Sequence, residues 1–122
     1  MKGLIYKNNQ IAVADFDDSY EFISTNVGGY IEHIPLRPLD EKNIDLWCNE
    51  DGKFKSDLKP NLALIYDGKI YDYIVGPVVF TKHDDEGNAL GLEDSDIEFL
   101  KTELTAHGFS IINDKLIRCL KF

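Results

Sequence analysis

The side chains able to do acid–base or covalent chemistry are few and scattered. His33, His83 and His107 could each act as a general base, and His83 stands beside Asp84. Cys48 and Cys119 offer thiols. No spacing of Ser, Cys, His and Asp identifies a nucleophile with its base and orienting group, although such partners are commonly assembled by the fold from distant positions. Neither cysteine has a second Cys or a His at zinc-ligand spacing. Cys48 alternates with Ile44 and Leu46, which turns its thiol toward a core and makes it inert. The histidines read as surface or packing residues. Gly28-Gly29 follows a helical segment instead of opening one, so a phosphate site at a helix N-terminus is missing. No cofactor or metal is implied.

Carboxylates are the more abundant resource. The chain has 122 residues, with 22 acidic and 13 basic side chains and a formal net charge of -9. Residues 83–100 hold seven acids, Asp84, Asp85, Glu86, Glu93, Asp94, Asp96 and Glu98, and no Lys or Arg. Asp84-Asp85-Glu86-Gly87-Asn88 invites a calcium-loop reading. That loop needs glycine at its sixth place and glutamate at its twelfth, and counted from Asp84 those places hold Ala89 and Ser95. The motif fails. The remaining readings are a solvated stretch that favours a helix start, or an acidic contact surface for a basic partner. As a surface it would comprise Asp84, Asp85, Glu86, Glu93, Asp94 and Asp96. Direct nucleic-acid binding is not expected, because a phosphate-binding face needs a basic stripe and the only arginines are Arg37 and Arg118.

A second candidate surface is polar and aromatic: Trp47, Asn49, Glu50, Asn61 and Tyr71. Strand alternation sets Trp47 opposite Ile44, Leu46 and Cys48. It is either an exposed binding anchor or lies under a helix. Asn49-Glu50-Asp51-Gly52 is either a polar binding loop beside Asn61 or a hairpin turn, with Asn and Asp bonding their own backbone and Gly52 at positive φ.

The elements that must position these groups are marked by turn chemistry. Asn8-Asn9, Asp67-Gly68 and Asn113-Asp114 each separate two apolar, strand-like runs. On a strict two-residue turn, Asp67-Gly68 pairs Tyr66 with Lys69, Leu64 with Tyr71 and Leu62 with Tyr73. Both faces of that hairpin are then largely apolar, which predicts a place in the middle of a covered sheet. Two helices are expected. Asp18 and Glu21 open the first, with Tyr20, Ile23 and Val27 on one stripe and Gly28-Gly29 as the stop. Ser95 and Glu98 open the second, with Ile97, Leu100 and Leu104 buried and Gly108 as the stop. The fold class is α+β, with an antiparallel or mixed β-sheet built from hairpins and two short helices packed on it. One globular domain over 1–122 is expected. Nothing near Met1 reads as a signal peptide or membrane span, so a cytoplasmic protein with reduced thiols is expected.

Three pieces carry a family likeness: Val27-Gly28-Gly29-Tyr30-Ile31-Glu32, then Leu46-Trp47-Cys48-Asn49-Glu50-Asp51-Gly52-Lys53 with Asn61-Leu62-Ala63, then Ile74-Val75-Gly76-Pro77-Val78-Val79-Phe80 leading to Asp84-Asp85-Glu86-Gly87 and Gly91-Leu92-Glu93-Asp94. In this order they resemble a small domain-of-unknown-function family of phages, plasmids and other mobile elements. The likeness spans residues 20–105, with the first hairpin and the tail after Gly108 as additions. "NEDGK" stands where the family pattern has "NEEGK". The resemblance implies a phage or mobile-element accessory protein and supplies no reaction. The expected role is a non-enzymatic protein that binds and inhibits a host protein with a basic surface, in the host cytoplasm, with a possible counter-defence role. The alternatives are a small-ligand or nucleotide-binding module and, third, an enzyme whose pocket only coordinates would reveal.

Overall fold

Three tight turns organise the chain, and in each the two central residues take positive φ. In the computed structural model, which describes residues 1–122, Asn8-Asn9 joins β1 (Lys2–Lys7) to β2 (Gln10–Asp15). Asp67-Gly68 joins β5 (Pro60–Tyr66) to β6 (Lys69–Val75), and Asn113-Asp114 joins β9 (Phe109–Ile112) to β10 (Lys115–Lys121). Asn, Asp and Gly occupy this backbone region at least cost, and its twist matches that of the flanking strands.

The strands form two sheets. The first runs β2-β1-β7-β4-β3, where β3 is Ile31–Ile34, β4 is Ile44–Asn49 and β7 is Val78–His83; the two-residue β8 (Ala89–Leu90) pairs antiparallel with the end of β7. The second runs β6-β5-β10-β9 and is antiparallel except for the parallel β5–β10 pair. Three helices accompany them: α1 (Ser19–Val27), the single-turn α2 (Arg37–Asp40) and α3 (Asp94–Ala106). The architecture is α+β. The main core lies between the sheets and includes Leu4, Tyr6, Leu46, Phe80, Leu62 and Leu64, completed by Ile97, Leu100 and Leu104 of α3. A second cluster forms where Ile23 and Val27 of α1 pack on Val79, Ile5 and Trp47. α2 escapes a periodicity reading because four residues hold no repeat. No helix is long and apolar enough to cross a membrane.

Two expectations about the β5–β6 hairpin are corrected. β6 is an edge strand, and the strict register ends after two pairs. Tyr66 faces Lys69 and Ile65 faces Ile70, but Leu64 faces Asp72, Ala63 faces Tyr73 and Leu62 faces Ile74. A bulge at Tyr71 absorbs the extra residue. The reason is packing: the shift turns Ile74 into the core, where it is 4% exposed, and keeps Tyr73 out of it. A bulge also blunts an edge strand against unwanted pairing.

The helix starts are corrected too. α3 is opened by Glu93 and Asp96, whose capping box lies two residues before the expected Ser95 and Glu98. α1 is capped as expected, with Asp18 Oδ1 accepting from Glu21 N at 3.0 Å and Gly28 at φ 80 as the stop. Its buried residues are Ile23 and Val27, while Tyr20 is exposed.

Candidate functional site

The acidic stretch divides into a surface and a scaffold. Asp85 and Glu86 are exposed in the β7–β8 loop. Asp84 builds that loop: Oδ1 accepts from Glu86 N at 2.9 Å and from Asn88 N at 2.8 Å. The Asn88 backbone N–H, followed by its side chain and Glu86 N, holds the Asp84 carboxyl below its usual range. Asn43 Nδ2 donates to Asp85 Oδ1 at 3.1 Å, and His83 N donates to Asn43 O at 3.0 Å. These bonds bring the end of α2, with exposed Asp40 and Glu41, beside the loop. Asp94 is exposed at the start of α3, 3.8 Å from Lys2 Nζ. Glu93 is exposed as the N-cap of α3. Asp96, expected on the surface, is 6% exposed; it accepts from Lys82 Nζ at 2.8 Å and from Glu93 N at 2.8 Å. A carboxylate can be buried here because a cation and a cap N–H meet it.

The polar and aromatic candidates do not share one cavity. Asn49 is buried, donating to Val27 O at 3.1 Å and accepting from Asp51 N at 2.8 Å. It ties β4 to the end of α1. Asn61 is buried on the second sheet and donates to Tyr6 O at 2.9 Å and Gly76 O at 3.0 Å. It joins the two sheets. Trp47 lies on the face that α1 covers, and its Nε1 donates to Thr81 Oγ1 at 2.9 Å. Glu50 is exposed beside Asn49, and Tyr71 is exposed on β6 next to the Phe122 ring. Gly52, expected at positive φ, instead sits in a single 3₁₀ turn over Gly52–Phe54 and is buried. A Cβ there would lie 2.5 Å from Val75 O, so close approach of two backbones is what calls for glycine.

One constellation escapes the sequence. Asp45, on β4, is placed between two imidazoles: His83 Nδ1 lies 2.8 Å from its Oδ2, and His33 Nε2 lies 3.3 Å from its Oδ1. The His33 ring also tilts against Trp47 with centroids 5.1 Å apart. The sequence sets His83 beside Asp84, but β-pairing sets it on Asp45, 38 residues away. The signal that would reveal it is register: His33 faces Trp47 and Asp45 faces Thr81 across neighbouring strands. Such a carboxylate fixes the orientation of the imidazoles that meet it. His107 is apart from it, with Nε2 2.7 Å from Glu103 Oε2. No three His, Cys, Asp or Glu side chains stand at metal-ligating geometry.

Cys48 and Cys119 are free and buried. Burial, and then the neighbouring Glu32 carboxylate, push the Cys48 thiol up to about 12, so the sulfur stays protonated and unreactive.

The comparison with known families gives one result. A family profile described as a domain of unknown function (DUF3846) matches residues 1–105, which takes in the β1–β2 hairpin and ends before β9. No curated protein and no solved structure shows significant similarity to the chain.

Proposed function

The chain belongs to the DUF3846 family, a domain of unknown function, and from that premise we propose that it is a non-enzymatic accessory protein that binds another protein through its acidic end. The observation that carries the reading is the joining of separate acidic segments by Asn43. Its bond to Asp85 joins the loop carrying exposed Asp85 and Glu86 to the end of α2, where Asp40 and Glu41 are exposed and Glu41 meets Arg37 at 3.2 Å, and the Asp84 bonds hold the loop. Fixed carboxylates on a chain of net charge -9 attract basic surfaces and raise the rate of encounter with them.

The partner class is a protein with a basic surface. The likeness of residues 27–32, 46–53 with 61–63, and 74–94 to a domain-of-unknown-function family of phages, plasmids and other mobile elements supports a mobile-element origin, an accessory role and a host target, with inhibition of that target as the outcome. The host cytoplasm suits this reading, since both thiols are free.

The experiment is quantitative capture from host lysate with the wild-type protein and with an Asp85→Lys/Glu86→Lys variant. Both side chains are exposed, but Asp85→Lys also removes the Asn43 bond, so Glu86→Lys alone, which leaves that bond in place, is the second arm and should weaken capture in the same direction. A specific captured protein that is lost from the variant, and lost from the wild type at high salt, supports the reading. Capture of the same protein at the same yield by both forms overturns it.

A further inference from the structure

The two sheets part along one side, and we propose that the opening between β3 and β6 receives a short cationic segment of a partner protein bearing an apolar anchor. β3 and β6 are each an edge strand of its sheet. Glu32 and Ile34 pair with core-facing Cys48 and Leu46, and Asp72 and Ile74 pair with core-facing Leu64 and Leu62. Each edge therefore turns one acid and one isoleucine toward the opening. The opening comprises two cavities, of about 240 and 300 Å³, that share Glu32, Ile34 and Asp72 in their walls. Phe54, 89% exposed, lines the first, and Tyr71, 71% exposed, lines the second.

Charge and size select the occupant. Asp72 is matched by Lys53, whose Nζ lies 2.6 Å from its Oδ1. Glu32 and Glu50 have no cation within ion-pair distance; the only side-chain donor to Glu32 is the Cys48 thiol, at 3.7 Å. The walls thus carry two uncompensated carboxylates over an apolar floor, which disfavours phosphates and carboxylates and suits Lys or Arg. Small-molecule sites usually enclose roughly 300–1,000 Å³. Together the two cavities fall within that range, but the space is divided between them and flanked by exposed rings, which fits successive side chains of a peptide better than one rigid cofactor. Exposed rings such as Phe54 and Tyr71 are the usual anchors of such contacts. None of these residues belongs to the 84–96 stretch, so this surface is independent of the acidic end.

The test is a titration of the isotope-labelled chain, followed by amide resonances, with a seven-residue peptide of alternating Lys and Leu. Matched Lys/Ser and Glu/Leu peptides serve as controls. Saturable shifts at residues 32–34, 53–54 and 71–74 are expected with Lys/Leu alone. Glu32→Gln and Tyr71→Ala should each weaken that binding about tenfold, as expected for loss of a charge-assisted bond or an anchor, and Glu86→Gln should leave it unchanged. Both altered side chains are exposed, and Tyr71→Ala carries the test if Glu32→Gln perturbs the fold. Shifts confined to residues 84–98, equal binding of the Glu/Leu or Lys/Ser peptide, unchanged affinity in the two variants, or no binding at millimolar peptide would each overturn the proposal.

Discussion

Lys82 Nζ and Asp96 Oδ2 meet at 2.8 Å with side chains only 18% and 8% exposed, and the same oxygen accepts the Glu93 N–H that opens α3. This one carboxylate therefore serves both a near-buried ion pair and a helix cap. Asp96→Ala strands the Lys82 ammonium in the protein and removes the cap, and should cost about 3–5 kcal/mol. Lys82→Met should cost less, because Asp96 keeps its cap donor. Urea denaturation of both variants checks the asymmetry; equal losses would mean that the cap adds nothing.

Asn61 spans the two sheets with a pair of bonds from Nδ2 to Tyr6 O and Gly76 O. Leucine matches its branched shape, is bulkier, and lacks its donors. Asn61→Leu removes a buried donor from each of two carbonyls, at up to about 1–3 kcal/mol each. A fall in unfolding free energy of that order is expected by chemical denaturation. A loss below about 1 kcal/mol would show that water reaches both carbonyls.

Local chemistry was legible, and tertiary choice was not. Asn8-Asn9, Asp67-Gly68 and Asn113-Asp114 announce their turns because few residues tolerate positive φ. Ile97, Leu100 and Leu104 announce α3 because the stripe repeats at helical spacing. The division into two sheets cannot be read the same way. β5 and β6 both have apolar residues on each face, so alternation does not tell a central strand from an edge strand. The Tyr71 bulge is set by which of Tyr73 and Ile74 fits the core, a packing decision outside the hairpin. Asp96 looks like one more solvated acid until Lys82 arrives from β7. Asp45 acquires its two histidines only when β3, β4 and β7 align. The sites missed are those that need long-range register.

Cys48 makes stability depend on alkaline pH. Its thiol is raised from 9.0 to about 12 by burial first and Glu32 second. The native state then keeps a proton that the unfolded chain releases above pH 9. The contribution is complete below pH 9 and is lost as pH rises toward 12, at about 1.4 kcal/mol per pH unit for one group. Tyr6, raised from 10.0 mainly by burial, adds the same sign above pH 10. Urea denaturation at pH 8, 9.5 and 10.5 should show falling stability, and Cys48→Ala should flatten the fall between pH 9 and 10. Native Cys48 should also resist alkylation at pH 8 until the chain unfolds.

Ala should destabilise the chain at both Gly52 and Gly68, but Asn should separate them. Gly68 has φ +74 and open space around its absent Cβ, so its need is conformational. Ala there should cost about 1–2 kcal/mol, and Asn should recover most of the loss because it tolerates the left-handed region. Gly52 has no positive φ, and its absent Cβ faces Val75 O at 2.5 Å. Ala there must push the 52–54 turn off β6, at about 1–3 kcal/mol. Asn carries the same Cβ and should be no better. Stability measurements on the four variants separate the two causes. Amide shifts in Gly52→Ala should centre on Lys53, Phe54 and Val75, residues that also line the opening between the sheets. Recovery of Gly52→Ala by Asn at the same position would show that backbone conformation, not contact with Val75, is what glycine supplies there.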